Sequence, residues 1–376
     1  MVEAAGQWRD PRPFDARGPA GHLGSAPGTA ARPEVVSFAS NDYLGLSAHP
    51  AVVEAAHRAL DRWGAGAGAS RLVTGSRPVH HALEESLAEW KGCDRAVVFP
   101  TGFAANLSVL SVFGTEGAHV FSDAWNHASI IDGCRLARAR VTVYPHRDLE
   151  RLDAELARAT GRPVVVSDTV FSMDGDAADL AGLVELARRR GALLVLDEAH
   201  AVLGPELEGS GVDVLRVGTL SKTLGSLGGF VAGPARYVEL LVNRARPYIF
   251  TTAPTPADAA AALAAVAIVR SEEGDRLRSR LAAHVERVAG AVGATGHASP
   301  IVPVVIGDEG DAVAASAALL DRGLWVPAIR PPTVPPGTSR LRVTLSAVHT
   351  DRQVDRLVAG LGDLAAASAA HGSRAS

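Results

Sequence analysis

Val217–Phe230, VGTLSKTLGSLGGF, is the stretch on which the fold reading turns. An apolar run, Val212–Val217, enters it and reads as a buried strand passing into a polar loop. In that loop Lys222 stands among three hydroxyl residues, Thr219, Ser221 and Thr223. Gly225, Gly228 and Gly229 follow, where a backbone without Cβ atoms can press close to a flat ligand. Lys91 and Lys222 are the only lysines in the chain, and every other cation among the 37 Lys and Arg residues is arginine. A general-purpose positive charge here would therefore be Arg. A primary amine can lose its proton and attack a carbonyl, which a guanidinium cannot do. Lys222 is read as a Schiff-base lysine for an aldehyde cofactor, pyridoxal 5'-phosphate (PLP). Alone, a lysine in a Gly/Ser/Thr loop favours a solvated surface position; the rest of the chain reverses that.

Working outward, Ala192–Leu196 is a fully apolar strand ending in Asp197-Glu198-Ala199-His200. A carboxylate at the end of a buried parallel strand is costly unless a cation pairs with it. A protonated pyridine nitrogen would be that cation. A metal-binding or acid–base carboxylate is the competing reading, and the lysine loop downstream favours the pyridine. Earlier, the strand Ala96–Phe99 ends in Pro100-Thr101-Gly102-Phe103, where a helix opens. Free N–H groups at such a corner suit an anion, and the cofactor phosphate is assigned to Gly102 and Phe103. Read in isolation, an ordinary strand–helix corner fits this piece equally well. The strand His119–Ser122 leads into Asn126-His127-Ala128-Ser129 and a helix through Arg138. That puts His127 just past a strand end, where open α/β sheets place ligands. Strands at Arg140–Pro145 and Val164–Asp168 continue the alternation. The acidic turn Phe171-Ser172-Met173-Asp174-Gly175-Asp176 begins like a calcium loop but lacks the remaining spaced ligands and the closing Glu, so metal is rejected.

Toward the N-terminus, residues 1–33 are rich in Pro, Gly, Ala and Arg and read as a loosely structured arm. A short strand, Val35–Ala39, precedes Ser40-Asn41-Asp42-Tyr43-Leu44-Gly45 and an amphipathic helix, Pro50–Trp63. The glycines of residues 64–71 follow a helix rather than a strand, so a dinucleotide site lacks its context and a substrate-facing loop is expected. Helices are expected at Val79–Trp90 and Leu183–Arg190. After the lysine loop come a strand at Phe230–Ala232, a helix through Arg244 and one long helix, Thr255–Glu272, near whose end a change of lobe is expected. The last hundred residues mix helices (Gly274–Val292, Asp311–Arg322, Asp351–Leu364) with short strands (Ile301–Ile306, Trp325–Pro327, Ser339–Thr344). Prolines stiffen Ile329–Pro335. Arg342 lies in an apolar strand and wants a carboxylate partner, either an internal Asp or Glu or one on a substrate.

The bulk numbers limit the options. At 376 residues the chain is expected to form two lobes. With 47% hydrophobic and 21% charged residues it reads as soluble and globular, and a net charge of −4 gives no electrostatic case for nucleic acid or an anionic membrane. Cys93 and Cys134 form neither a metal cluster nor a disulfide framework, so a reducing cytoplasm is expected. Neither a leader pattern nor an apolar run of membrane-spanning length is seen.

SNDYLG, TGFAAN, NHAS, FSMDGD, DEAH, TLSKTLG and RPPTVPPGTSRLRVT occur here in the order found in the α-oxoamine synthases, which are fold-type I PLP enzymes. The chain resembles that family from about Val35 to about Leu361. The resemblance implies an α/β fold: a large domain whose mostly parallel seven-stranded sheet is flanked by helices, and a smaller C-terminal α+β domain. It divides the chain into an arm (1–40), a PLP-binding domain (41–268) and a small domain (269–376). Carried over residue by residue, it implies that Lys222 binds the cofactor covalently, Asp197 meets the pyridine nitrogen and His127 stacks on the ring. His200 and Ser172 lie near the phenolic oxygen, and Gly102, Phe103 and Thr219 hold the phosphate. Thr252 reaches the phosphate of a neighbouring subunit, so a homodimer with its active site at the interface is implied. Asn41 lies near the reacting centre, Arg342 takes the amino-acid carboxylate, and Arg330 and Thr333 lie on the acyl side. The implied partners are L-alanine and pimeloyl-CoA or a pimeloyl-acyl carrier protein. Sibling activities, glycine acetyl transfer or 5-aminolevulinate synthesis, remain open. Two departures stand out. The arm lacks the family's clear N-terminal helix with its substrate-binding Arg, leaving Arg17 for that role, and the segment after His200 is shorter than the family pattern.

Overall fold

The computed structural model describes residues 11–24, 34–207, 209, 211–294 and 299–372, without the side chains of 367–372. Valine- and leucine-rich runs make the central strands: β4 (Arg95–Phe99), β5 (Ala118–Asp123), β6 (Arg140–Tyr144), β7 (Arg162–Asp168), β8 (Leu193–Asp197), β9 (Val214–Thr219) and β10 (Gly229–Gly233). The N-terminal strands β1 (Phe14–Ala16), β2 (Ala20–Leu23) and β3 (Glu34–Ser37) precede them, and β11 (Ile301–Gly307), β12 (Leu324–Trp325), β13 (Ala328–Ile329) and β14 (Ser339–Thr344) follow. The seven central strands form one sheet in the order β4-β10-β9-β8-β7-β5-β6. Only β10 runs against its neighbours. All six residues of β5 and the last four of β8 are buried, as a parallel sheet covered by helices on both faces requires.

The six parallel strands all end on one edge, and four of them, β5, β7, β8 and β9, end in the polar residues Asp123, Asp168, Asp197 and Thr219. Helices then lead away from that edge. One, Gly102–Phe113, is capped by Thr101, whose Oγ1 accepts from Ala104 N at 3.0 Å. Another, Ala128–Leu136, is capped by His127, whose ring accepts from Ser129 N. The topology thus gathers polar side chains at the crevice where open α/β sheets bind ligands.

A smaller α+β unit contains the sheet β11-β14-β13 and the helices Glu272–Ala291, Glu309–Asp321 and Asp351–Gly372. The two expected helices, Thr255–Glu272 and Gly274–Val292, are found as Pro256–Val269 and Glu272–Ala291, their junction a few residues earlier than expected. The second begins with Ser271 as its cap, the hydroxyl accepting from Glu273 N at 3.2 Å. The Ser-Glu-Glu sequence is a start signal, with its acids placed against the positive helix end. Gly274 permits the corner, since a Cβ there would come within 2.5 Å of the carbonyls of Ile268 and Val269. A further helix, Leu149–Leu156, was not expected from the sequence; Asp148 caps it.

The arm is not loose where it is described. β1 and β2 form an antiparallel hairpin that pairs with β3, and β3 pairs in parallel with β12. Phe14 packs edge-on against Trp325 with ring centroids 5.3 Å apart. Strands of three and four residues give too few alternations to read, and their partner Trp325 lies some three hundred residues away. Among the described residues, no helix is long and apolar enough to cross a membrane.

Candidate functional site

A cavity of about 230 Å³ lies at the C-terminal edge of the central sheet. Gly102, Phe103, His127, Ser172, Asp197, His200, Thr219 and Lys222 all line it. Five separate loops are needed to bring these eight residues together, which makes their convergence informative. Larger hollows exist, one of about 750 Å³ on the Glu198 side of the sheet, but there Lys91 and Arg216 pair with Glu198 and Arg270 with Glu89, whereas Asp197 in the smaller cavity has no ion pair among the described residues.

Asp197 forms one wall. It is 6% exposed, and its Oδ2 accepts from Asn106 Nδ2 at 2.6 Å, its Oδ1 from Ala199 N at 2.9 Å. No ion pair to it occurs among the described residues. Asn106 also donates to Ser129 Oγ at 2.9 Å, while its buried Oδ1 has no hydrogen-bond partner. Opposite, Lys222 Nζ lies 2.8 Å from His200 Nε2. His200 Nδ1 lies 2.5 Å from the Tyr43 hydroxyl, and Tyr43 donates to Asn41 Oδ1 at 3.0 Å. Arg342 Nη2 reaches the same Asn41 oxygen at 3.3 Å, and its Nε donates to Ser172 O at 2.6 Å. A continuous chain of contacts therefore runs from Lys222 to Arg342.

The electrostatics follow from burial. Desolvation lowers the Lys222 pKa, against the pull of the Asp197 and Asp168 carboxylates, while Arg342 adds to the depression. His200 is pushed well below the ordinary imidazole value by burial and by the neighbouring cations Lys222 and Arg342, so it stands neutral. Burial also lowers His127, Asp197 opposing it. Asp168 is driven well above the usual carboxylate range by burial and by Asp197 beside it; its Oδ2 accepts from His127 N at 2.9 Å. The result is an amine biased toward its neutral, nucleophilic form facing a sunken negative charge.

At the far end, the helix Gly102–Phe113 turns its first N–H groups, at Gly102 and Phe103, toward the cavity without intrahelical carbonyls to receive them. The hydroxyls of Thr219 and Ser221 stand 2.8 Å apart nearby. Gly102 fits tightly: a Cβ there would sit 3.2 Å from Thr219 Cβ. A Cβ on Gly229 would come 2.4 Å from Gly102 N, so the glycines of the lysine loop serve this close approach.

A family model described as aminotransferase class I and II matches residues 33–361. The chain belongs to that family. Its fold is the fold-type I arrangement. Among curated relatives, 8-amino-7-oxononanoate synthase of Burkholderia thailandensis is 50% identical over 349 residues, spanning 87% of this chain and 88% of that protein. Among solved structures, SPT with PLP superposes with a TM-score of 0.88 at 32% identity, covering 95% of this chain and 92% of that one. The 8-amino-7-oxononanoate synthase of Francisella tularensis superposes at 0.74 with 25% identity, covering 89% of this chain and 98% of that one.

Within this aminotransferase-family chain, other expected site residues fall outside the cavity. Arg342 stands one contact away, through Ser172, and Asn41 two, through Tyr43 and His200. Arg330 follows β13, and Thr333 N donates to its carbonyl at 3.1 Å; neither side chain lines the cavity. Thr252 is exposed beside the exposed Phe250. Arg17 is exposed in the turn joining β1 and β2. Sequence reasoning missed Tyr43 and Asn106. Tyr43 stands two residues from Asn41 in SNDYLG, and Asn106 one helical turn beyond Gly102 and Phe103, so motif neighbourhood was the available signal. The Asp174 and Asp176 carboxylates of the acidic turn pair with the protein's own cations, Arg340 and His146 with Arg147.

Proposed function

We propose that this chain catalyses the 8-amino-7-oxononanoate synthase reaction. L-alanine and a pimeloyl thioester, on coenzyme A or a carrier protein, give 8-amino-7-oxononanoate, carbon dioxide and free thiol, a step of cytoplasmic biotin biosynthesis. The name of the curated relatives at 50% identity supports this substrate pair. The observation that carries the chemistry is that Lys222 and Asp197 line one cavity, with no cation of the described protein paired to Asp197.

The residues fit PLP. A buried carboxylate lacking a cation, next to an amide oxygen lacking a donor, suits a protonated ring nitrogen. Gly102 and Phe103 N–H with the Thr219 hydroxyl suit a phosphate. His127 would pack on the ring face, with Ser172 and His200 by the phenolic oxygen. When bound, PLP supplies an aldehyde that captures amines and a ring that takes up the electrons left on a substrate Cα.

The chain's own groups do the rest. Lys222 Nζ anchors the cofactor and, once the amino acid has displaced it, takes the Cα proton; its lowered pKa suits an amine base working near neutrality. Asp197 keeps the proton on the ring nitrogen. Neutral His200, held by Tyr43, orients Lys222 Nζ at 2.8 Å. Arg342 with Asn41 binds and aims the amino-acid carboxylate, the group lost as carbon dioxide. Arg330 and Thr333 line the acyl side, and Arg17 in the hairpin turn is the arm's cation for the acyl substrate.

We further propose a homodimer in which Thr252 serves the partner's phosphate. The large apolar side chains Val73 and Phe250, 74% and 69% exposed, support an interface beside Thr252. Residues 41–268 form the cofactor-holding domain in this reading, 1–40 the arm and 269–376 the small domain. Purified protein given PLP, L-alanine and pimeloyl-CoA should release thiol and carbon dioxide in equal amounts. If glycine with acetyl- or succinyl-CoA is turned over in preference, a sibling activity is the right assignment.

A further inference from the structure

His146 lies outside the cavity, yet it bridges two segments that build it. Its Nδ1 is 3.0 Å from Asp123 Oδ1 at the end of β5, and its Nε2 is 2.8 Å from Asp176 Oδ2 in the turn after β7. A neutral imidazole has one N–H, whereas both nitrogens here face carboxylate oxygens, so the ring carries two protons and a positive charge. Trp125 stacks on it at 3.9 Å with planes 13° apart, and Phe171 meets it edge-on at 4.4 Å. Burial disfavours the charge, but the bonds and charges of Asp123 and Asp176 outweigh it and raise the His146 pKa to about 9. Arg147 Nη1 also reaches Asp176 Oδ2 at 3.2 Å, and the buried Asp168 carboxylate feels the charge of Asp123.

Each carboxylate holds a piece of the site. Asp123 also accepts from Trp125 N at 2.8 Å and Arg147 N at 2.9 Å, fixing the loop that leads through Asn126 to His127. Asp176 belongs to the turn whose Ser172 carbonyl accepts from Arg342 Nε at 2.6 Å, and Asp174 of the same turn pairs with Arg340. We propose that His146 is a positioning residue: clamped between Asp123 and Asp176, it fixes the 171–176 turn, and through Ser172 the Arg342 guanidinium, relative to the loop carrying His127. This rests on reading Arg342 as the anchor of the amino-acid carboxylate. The sign is that of a raised histidine: the contribution to stability is fully present below about pH 6.5, and the clamp itself is lost as pH rises through about 9.

The test is an absorbance titration of the PLP-loaded enzyme with L-alanine, from about pH 7 to about pH 10, on wild type, His146→Gln, Asp176→Asn and Arg342→Lys, with Tm recorded for each. At about pH 7, His146→Gln should weaken alanine binding about fivefold, a modest cost for sub-ångström misplacement of Arg342. Wild type should weaken by a similar factor as pH passes about 9, His146→Gln should show no such step, and Asp176→Asn should move the step to lower pH. If His146→Gln matches wild type in affinity and pH profile, even with a lower Tm, the residue is only structural and the proposal is overturned. Should that variant not fold, an unmoved step in Asp176→Asn overturns it equally. If Arg342→Lys binds alanine like wild type, the carboxylate assignment itself has failed; if it is weakened while His146→Gln is not, the clamp alone has failed.

Discussion

The chain has two lysines, and the end of β8 serves both. Lys91 Nζ sits 2.7 Å from Glu198 Oε2, and Arg216 Nε holds the other oxygen of that carboxylate at 2.5 Å. Lys91 also lies over the Trp90 ring at 3.9 Å. Every charge there has a partner, and Glu198, despite its burial, is held below the usual carboxylate range by Lys91 and Arg216. Lys222 lines the same cavity as the adjacent residue, Asp197, and among the described residues its Nζ has one hydrogen-bond partner, the neutral His200 imidazole. Successive residues at a strand end project to opposite faces. One face thus carries a closed ion cluster and the other an uncompensated carboxylate and a depressed amine. The difference separates structure from chemistry: a satisfied charge stabilises the fold, and an unsatisfied one is available to a ligand.

Substitutions on the two faces should therefore fail differently. Lys222→Ala should abolish turnover by roughly four orders of magnitude or more, with little loss of Tm, because in the proposed reaction the anchoring amine and the Cα base are the same atom. Asp197→Asn should slow turnover by roughly 10²- to 10³-fold, since a neutral amide no longer holds the proton on the ring nitrogen. Across the sheet, Glu198→Gln should leave Lys91 and Arg216 unpaired and cost about 3 kcal/mol of unfolding free energy by urea titration, while keeping kcat within about threefold. Lys91→Met should cost less, about 1–2 kcal/mol, because Arg216 still compensates Glu198. Loss of turnover in Glu198→Gln without loss of stability would break the division between the faces.

How much of this could be read beforehand depended on range in sequence. The strand ends were legible because each couples an apolar run to a polar turn, and the ligand crevice follows from the parallel sheet. Lys222 stood out because the composition left it nearly alone. Tyr43 and His146 did not, since their roles arise from contacts to His200 and Asp176, far along the chain. The hairpin of β1 and β2 was missed for the same reason: its stabilising partners are β3 and Trp325 rather than its own residues. The break between the helices Pro256–Val269 and Glu272–Ala291 was legible, but placed three residues late, because the Ser-Glu-Glu start signal directly follows an alanine-rich run.

The central claim is best tested on the two lysines themselves. Protein incubated with PLP and reduced with borohydride keeps the cofactor on whichever amine has condensed with it, and peptide mass mapping then tells Lys222 from Lys91. The account predicts the adduct on Lys222 and none on Lys91. An adduct on Lys91, or an unmodified Lys222 in protein that turns over its substrates, would contradict it.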